Sequence, residues 1–98
     1  AVLISPQTGS SGECVVVSFI GNGLTRIFGQ PTWGLTTGNG SFDLTDGARI
    51  MLASTRMADR NGKVYHGSID PDERLEKNKN TKGDTEIQTA VDWILNKK

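Results

Sequence analysis

Cysteine occurs once in the 98 residues, as Cys14, so no intrachain disulfide framework can form and the redox compartment is left open. Histidine also occurs once, as His66. Neither sign of charge is in excess: Lys+Arg and Asp+Glu both number 11, a balance that argues against a dedicated nucleic-acid binder. No apolar run approaches the length of a membrane span. No ligand spacing of the EF-hand or zinc type is present, so Asp70, Asp72 and Glu73 read as a polar loop, and neither a metal nor an organic cofactor is implied. The glycine-rich "GLTTGNGS" has no lysine after glycine and is not a phosphate loop. No repeat is visible, and the length allows one domain with a limited core. No initiator Met precedes the apolar run Ala1–Ile4, which reads as a buried strand; a carboxy-terminal piece of a longer protein is the expectation.

What is present divides into short segments. Residues 1–5 predict a strand, and the glycines and serines of 8–12 a turn. Residues 11–21 carry Val15-Val16-Val17, which favours strand by propensity. Yet Ser10 or Ser11 followed by Glu13 is a helix start, with hydroxyl caps and an acid in the first turn, and Gly21-Asn22-Gly23 is a helix stop. A helix buried on all sides is predicted, with Cys14 packed inside it. Residues 24–29 predict a strand, and 30–41 a long loop. Asp46-Gly47 and Asn61-Gly62 are two hairpin signals, since both pairs tolerate positive φ. They predict an antiparallel β-meander over 41–69, with Ile50, Leu52 and Met57 on a buried face. Residues 74–83 read as a polar linker. Ile87, Ala90, Val91, Ile94 and Leu95 recur at helical spacing, so 84–98 predicts an amphipathic helix. Asp84 or Thr85 caps its start, Thr85 with Gln88 matches a capping box, and Lys97 and Lys98 suit its negative end.

The segment "TGSSGE", residues 8–13, is open to two readings. A serine at a strand-to-helix turn exposes its hydroxyl beside helix N–H groups that can stabilise an oxyanion. A capped helix start with no chemistry accounts for the same residues. A nucleophile needs a base, and His66, in a predicted β-meander, is more simply a surface or packing residue. Cys14 reads as packing rather than reactive. Trp33 and Trp93 are candidate ligand contacts, with packing the simpler reading for Trp93 on its helix.

Taken in order, "VLISPQTGSSGE", "FGQPTWGLTTGNGSFDLTDGARIMLAST" and "ADRNGKVYHGSIDPDE" resemble the end of the catalytic domain in the carboxy-terminal processing (tail-specific) serine peptidases. The resemblance spans residues 2–73. It implies Ser10 as nucleophile, three residues before Glu13, with Ser11 as the fallback. The Ser11 backbone N–H would help form the oxyanion hole. "GQPTWG" is similar to the family's "GEPTFG", and "GSIDPD" to its closing "GVxPD". In the Ser-Lys members a lysine follows that element as general base. Here the position holds Leu35, which cannot accept a proton. The chain therefore looks more like the tricorn-like, Ser-His members, whose histidine lies far upstream of the serine. His66, in the closing segment, is the candidate within the chain.

The resemblance implies an α/β fold: part of a core like that of the Clp protease proteolytic subunit and crotonases, with strand, nucleophile helix, strand, β-meander and carboxy-terminal helix in order. Residues 1–73 would be the end of the peptidase domain, 74–83 a linker and 84–98 the last helix. The expected partner is a polypeptide substrate in a bacterial envelope or secreted setting, with no nucleic acid. A non-catalytic binding or scaffold protein on the same fold is the alternative that Leu35 keeps open. Strands left without neighbours would present edges for self-association of the piece.

Overall fold

The computed structural model describes residues 1–76 and 84–96. The expected linker falls largely on 77–83, and Lys97 and Lys98 on the end, so both expectations lie outside the described residues. In chain order the elements are β1 (Val2–Ile4), α1 (Ser11–Phe19), β2 (Ile27–Gly29), β3 (Thr37–Asp43), β4 (Arg49–Arg56), β5 (Glu73–Arg74) and α2 (Thr85–Asn96). The fold is mixed α/β. Among the described residues no helix is long and apolar enough to cross a membrane.

β1, β2 and β5 form a parallel sheet in the order β1-β2-β5. The β1–β2 connection runs through α1, as a parallel pair requires a crossover. Successive strand residues face opposite sides of a sheet, and the core divides accordingly. Ile4 and Ile27 join Val16 and Val17 of α1, with Tyr65 and Ile69, in one buried cluster bordered by Val2, Ile20 and Met57. Phe28 is fully buried on the opposite side and meets Trp93 of α2 edge to face, with ring centroids 5.9 Å apart. The two helices thus take opposite faces of the sheet. At Gly29, φ is +126° and a Cβ would collide with the Ile4 carbonyl oxygen, so the close β1–β2 approach requires glycine here.

Helix α1 forms despite its valine run. The reason is the stripe Glu13, Val16, Val17 and Ile20, spaced i, i+3, i+4, i+7 along one helix face. The first three are buried and Ile20 is half-buried. Cys14, Val15, Ser18 and Phe19 lie off that stripe and are exposed. The expectation of a helix buried all round, with Cys14 packed inside, is therefore corrected.

Strand β2 starts at Ile27 rather than at 24, because Asn22 Oδ1 accepts the N–H groups of Leu24 and Thr25 in an Asx turn. The Asp46-Gly47 hairpin is present: Gly47 has φ +88°, and Leu44 N donates to Ala48 O at 2.7 Å. β3 reaches back to Thr37, so residues 37–41 are strand rather than loop, with an irregularity in register between Gly38 and Asn39. The wider meander does not form. Asn61-Gly62 makes a tight turn closed by one isolated bridge, Ala58 to Val64. The chain then leaves the hairpin because Tyr65 and Ile69 bury in the α1-side core. Among the described residues β3 and β4 consequently gain no third strand. Ile50 and Leu52 are 39% and 54% exposed instead of forming a buried face, and of the three residues expected there only Met57 packs inward.

Asp84 caps α2, its Oδ1 accepting from Glu86 N and Ile87 N at 3.0 and 3.1 Å. Gln88 bonds Asp92 rather than closing a capping box. Ala90 is the buried residue of this helix, while Ile87, Val91, Ile94 and Leu95 remain exposed.

Candidate active site

The turn from β1 into α1 places Ser10 at the N-cap of the helix with φ 52° and ψ −112°. It is the one non-glycine residue with positive φ among the described residues. Such a conformation costs an L-residue on the order of 1–3 kcal/mol and persists only where its surroundings fix it. A strand-turn-helix with a strained, exposed serine at its apex is the arrangement of a nucleophile elbow. Ser11, the next residue, is the first residue of α1. Its amide is one of the N–H groups that a helix leaves without an intrahelical acceptor. It lies at the positive end of the helix dipole, where a developing oxyanion is stabilised.

Glu13 fixes the elbow. Its carboxylate is 0% exposed and accepts four hydrogen bonds. Oε1 takes the backbone N–H of Ser10 at 2.8 Å and that of Leu35 at 2.8 Å. Oε2 takes the Thr32 hydroxyl at 2.6 Å and the Gly34 N–H at 3.0 Å. Burial alone would raise the carboxyl's pKa, but these donors outweigh it and hold the group below its ordinary value. The network continues, since Thr32 Oγ1 also accepts from Ile69 N at 2.8 Å and Thr36 Oγ1 donates to Gly67 O at 2.8 Å. Trp33 N donates to Thr8 O at 2.9 Å. The 32–36 loop is thus fastened both to the serine turn and to the segment after His66.

The sequence-predicted residues fall in two places. Ser10, Ser11 and Leu35 gather around Glu13 and the start of α1. His66 is exposed and lines an open cleft of about 500 Å³ with Phe19, Ile20, Lys63 and Asp72. Phe19 ends α1 and Ile20 is its C-cap, while Gly67 and Ser68, which line the same cleft, abut Gly34 of the loop bonded to Glu13. No hydrogen bond joins His66 to Ser10 or Glu13 among the described residues. Asp72 ties β2 to the closing segment, since its Oδ2 accepts from Ile27 N at 2.8 Å and its own N–H donates to Ile27 O. Glu73 pairs with Arg26 at 3.5 Å. Sequence reasoning misses Thr32 and Gly34 as part of the site. Their signal is the "PTWG" segment, which reads locally only as loop. Glu13 is visible as a first-turn acid but not as a buried four-fold acceptor.

The model of peptidase family S41 matches residues 1–75. A nisin-resistance protein of Lactococcus lactis subsp. lactis is 32% identical over 95 residues, which is 96% of this chain and 27% of that protein. A solved structure, described as that of a lipoprotein from Streptococcus agalactiae, superposes with a TM-score of 0.75 at 33% identity, covering 95% of this chain and 30% of the other. The chain therefore spans under a third of the length of these relatives.

Proposed function

The chain belongs to peptidase family S41, and from that premise we propose that it supplies the nucleophile of a serine peptidase of the carboxy-terminal processing family, on a core of the Clp protease and crotonase kind. The observation that carries the reading is Ser10: a strained, positive-φ serine at a helix N-terminus, held by a buried carboxylate. Ser10 Oγ attacks the carbonyl carbon of a peptide bond and passes its proton to the general base. The Ser11 N–H bonds the oxyanion. The C–N bond then breaks, the base protonates the leaving amine, and an acyl ester remains on Ser10. Water hydrolyses that ester and restores the hydroxyl.

The base comes from outside these 98 residues. Leu35 occupies the position of the Ser-Lys lysine, and its backbone rather than its side chain serves the site, through Glu13. A histidine of the tricorn-like type fits this arrangement better than His66. The relatives' descriptions, nisin resistance and a lipoprotein, support an envelope or extracellular setting with a polypeptide substrate. A fluorophosphonate probe applied to the whole protein tests the assignment. Labelling disappears in Ser10→Ala; labelling that survives refutes Ser10 as nucleophile. Leu35 also favours one second reading, a binding protein on the same fold, for which the wild type would take no label.

A further inference from the structure

We propose that Trp33 is a substrate-binding platform that selects an apolar side chain beside the scissile bond. The inference rests on the peptidase reading above and adds its specificity. Trp33 is 65% exposed although indole is among the costliest side chains to leave in water. It is nevertheless held in place. Its backbone N–H donates to Thr8 O at 2.9 Å, and the residues on either side, Thr32 and Gly34, are bonded to Glu13. The side chain lies against Gly9, the residue before the nucleophile. A Cβ placed on Gly9 would sit 3.5 Å from Trp33 Cβ and 3.7 Å from its Cε3. An exposed aromatic side chain on a hydrogen-bonded backbone therefore lies against Gly9, the residue before Ser10. Leu35, 46% exposed, extends the apolar surface of the same loop.

The chemistry of the occupant follows from the charges. Residues 5–12 and 30–36, which build this surface, contain no ionisable side chain. The adjacent carboxylate, Glu13, is buried and fully engaged by donors. Nothing in these segments would hold a charged substrate side chain by an ion pair. An indole face with neutral surroundings binds aliphatic and aromatic groups by burial and stacking.

The test uses the whole protein and two peptide sets, one with Leu or Phe flanking the cleaved bond and one with Gly or Asp. For Trp33→Ala, kcat/KM falls about 10-fold on the apolar set and under about twofold on the other, the size expected for losing one apolar contact. Trp33→Phe recovers most of the loss. Equal losses on both sets, or none, overturn the proposal. A second measurement does not need turnover. Binding of the apolar peptides to Ser10→Ala shifts tryptophan emission, and the shift is lost in Ser10→Ala/Trp33→Phe. A shift without any labelling of the wild type would reject the peptidase reading and keep the platform; labelling with no Trp33-dependent shift would do the reverse.

Discussion

Ser10 and Leu35 share one oxygen: both backbone N–H groups donate to Oε1 of Glu13, each at 2.8 Å. The strained serine and the loop that faces it are therefore set by a single buried atom. Glu13→Gln keeps the shape but replaces one acceptor oxygen with an NH2 group that faces donors. It is expected to destabilise the protein by about 3 kcal/mol, the cost of stranding two buried hydrogen-bonding groups. Urea denaturation measures the loss. Fluorophosphonate labelling should fall with it, because the elbow loses its anchor. A variant as stable and as reactive as the wild type would show that the carboxylate does not hold the turn.

The same group gives a pH signature. Its folded pKa lies below the ordinary value of 4.5, because four donors outweigh desolvation. A depressed carboxyl pKa contributes stability that is present above the unfolded value and is lost as pH falls through the folded one. Stability should therefore drop as pH falls below about 4.5, more steeply in the wild type than in Glu13→Gln, when urea midpoints are compared at successive pH values. Parallel curves would place the acid sensitivity elsewhere.

Ser10 permits a separate measurement of backbone strain. Glycine accepts φ 52° without steric cost, whereas alanine retains the penalty of a Cβ. Both substitutions remove the hydroxyl. Ser10→Gly should be more stable than Ser10→Ala by about 1 kcal/mol, although glycine loses more entropy on folding. The reverse order would mean that the positive φ is not maintained in solution.

The extent to which the sequence foretold this arrangement follows from the range of the interactions. The turn of Gly9 and Ser10, the first-turn Glu13 and the Asp46-Gly47 hairpin are set within a few residues, and local rules reached them. Glu13's partners at 32–35 lie some twenty residues away, and no periodicity announces a buried carboxylate taking four donors. The meander failed for a similar reason. Asn61-Gly62 does turn the chain, but Tyr65 and Ile69 then gain more from the α1-side core than from extending a ladder. Ile50 and Leu52 alternate as a half-buried strand should, yet no element covers their face among the described residues. Pattern reports the apolar side of a strand, not the presence of something to bury it.

The placement of His66 leads to a kinetic prediction. It lines a cleft with Phe19 and Ile20 and makes no hydrogen bond to Ser10 or Glu13 among the described residues, so His66→Ala should leave probe labelling within about twofold. On the proposed reading, in which a histidine elsewhere in the protein is the base, kcat/KM should rise through pH of about 6.5 and then level. A rise only above about pH 8 would indicate a lysine reaching in after all. A labelling collapse in His66→Ala would bring the closing segment into the site.

The last prediction concerns how α2 holds to the sheet. Its inward side offers little apart from Ala90 and Trp93, and Trp93 meets Phe28 at an interplanar angle of 65°. Leu95 is 76% exposed, and Ile87, Val91 and Ile94 are only partly covered. The Trp93–Phe28 contact should thus contribute a large share of the docking, beside the packing of α2 on β1. Trp93→Ala is expected to cost about 3 kcal/mol, within the range for truncating a large aromatic. Trp93→Leu, which keeps apolar area but loses the edge-to-face pair, should cost about 1 kcal/mol. Hydrogen exchange gives the local reading. In Trp93→Ala the amides of 85–96 should lose protection while those of α1 keep theirs, because the α1-side cluster of Ile4, Val16, Val17 and Ile27 lies on the other face of the sheet. Equal loss in both helices would mean that Phe28 couples the two faces and that α2 is part of the core rather than an element docked onto it.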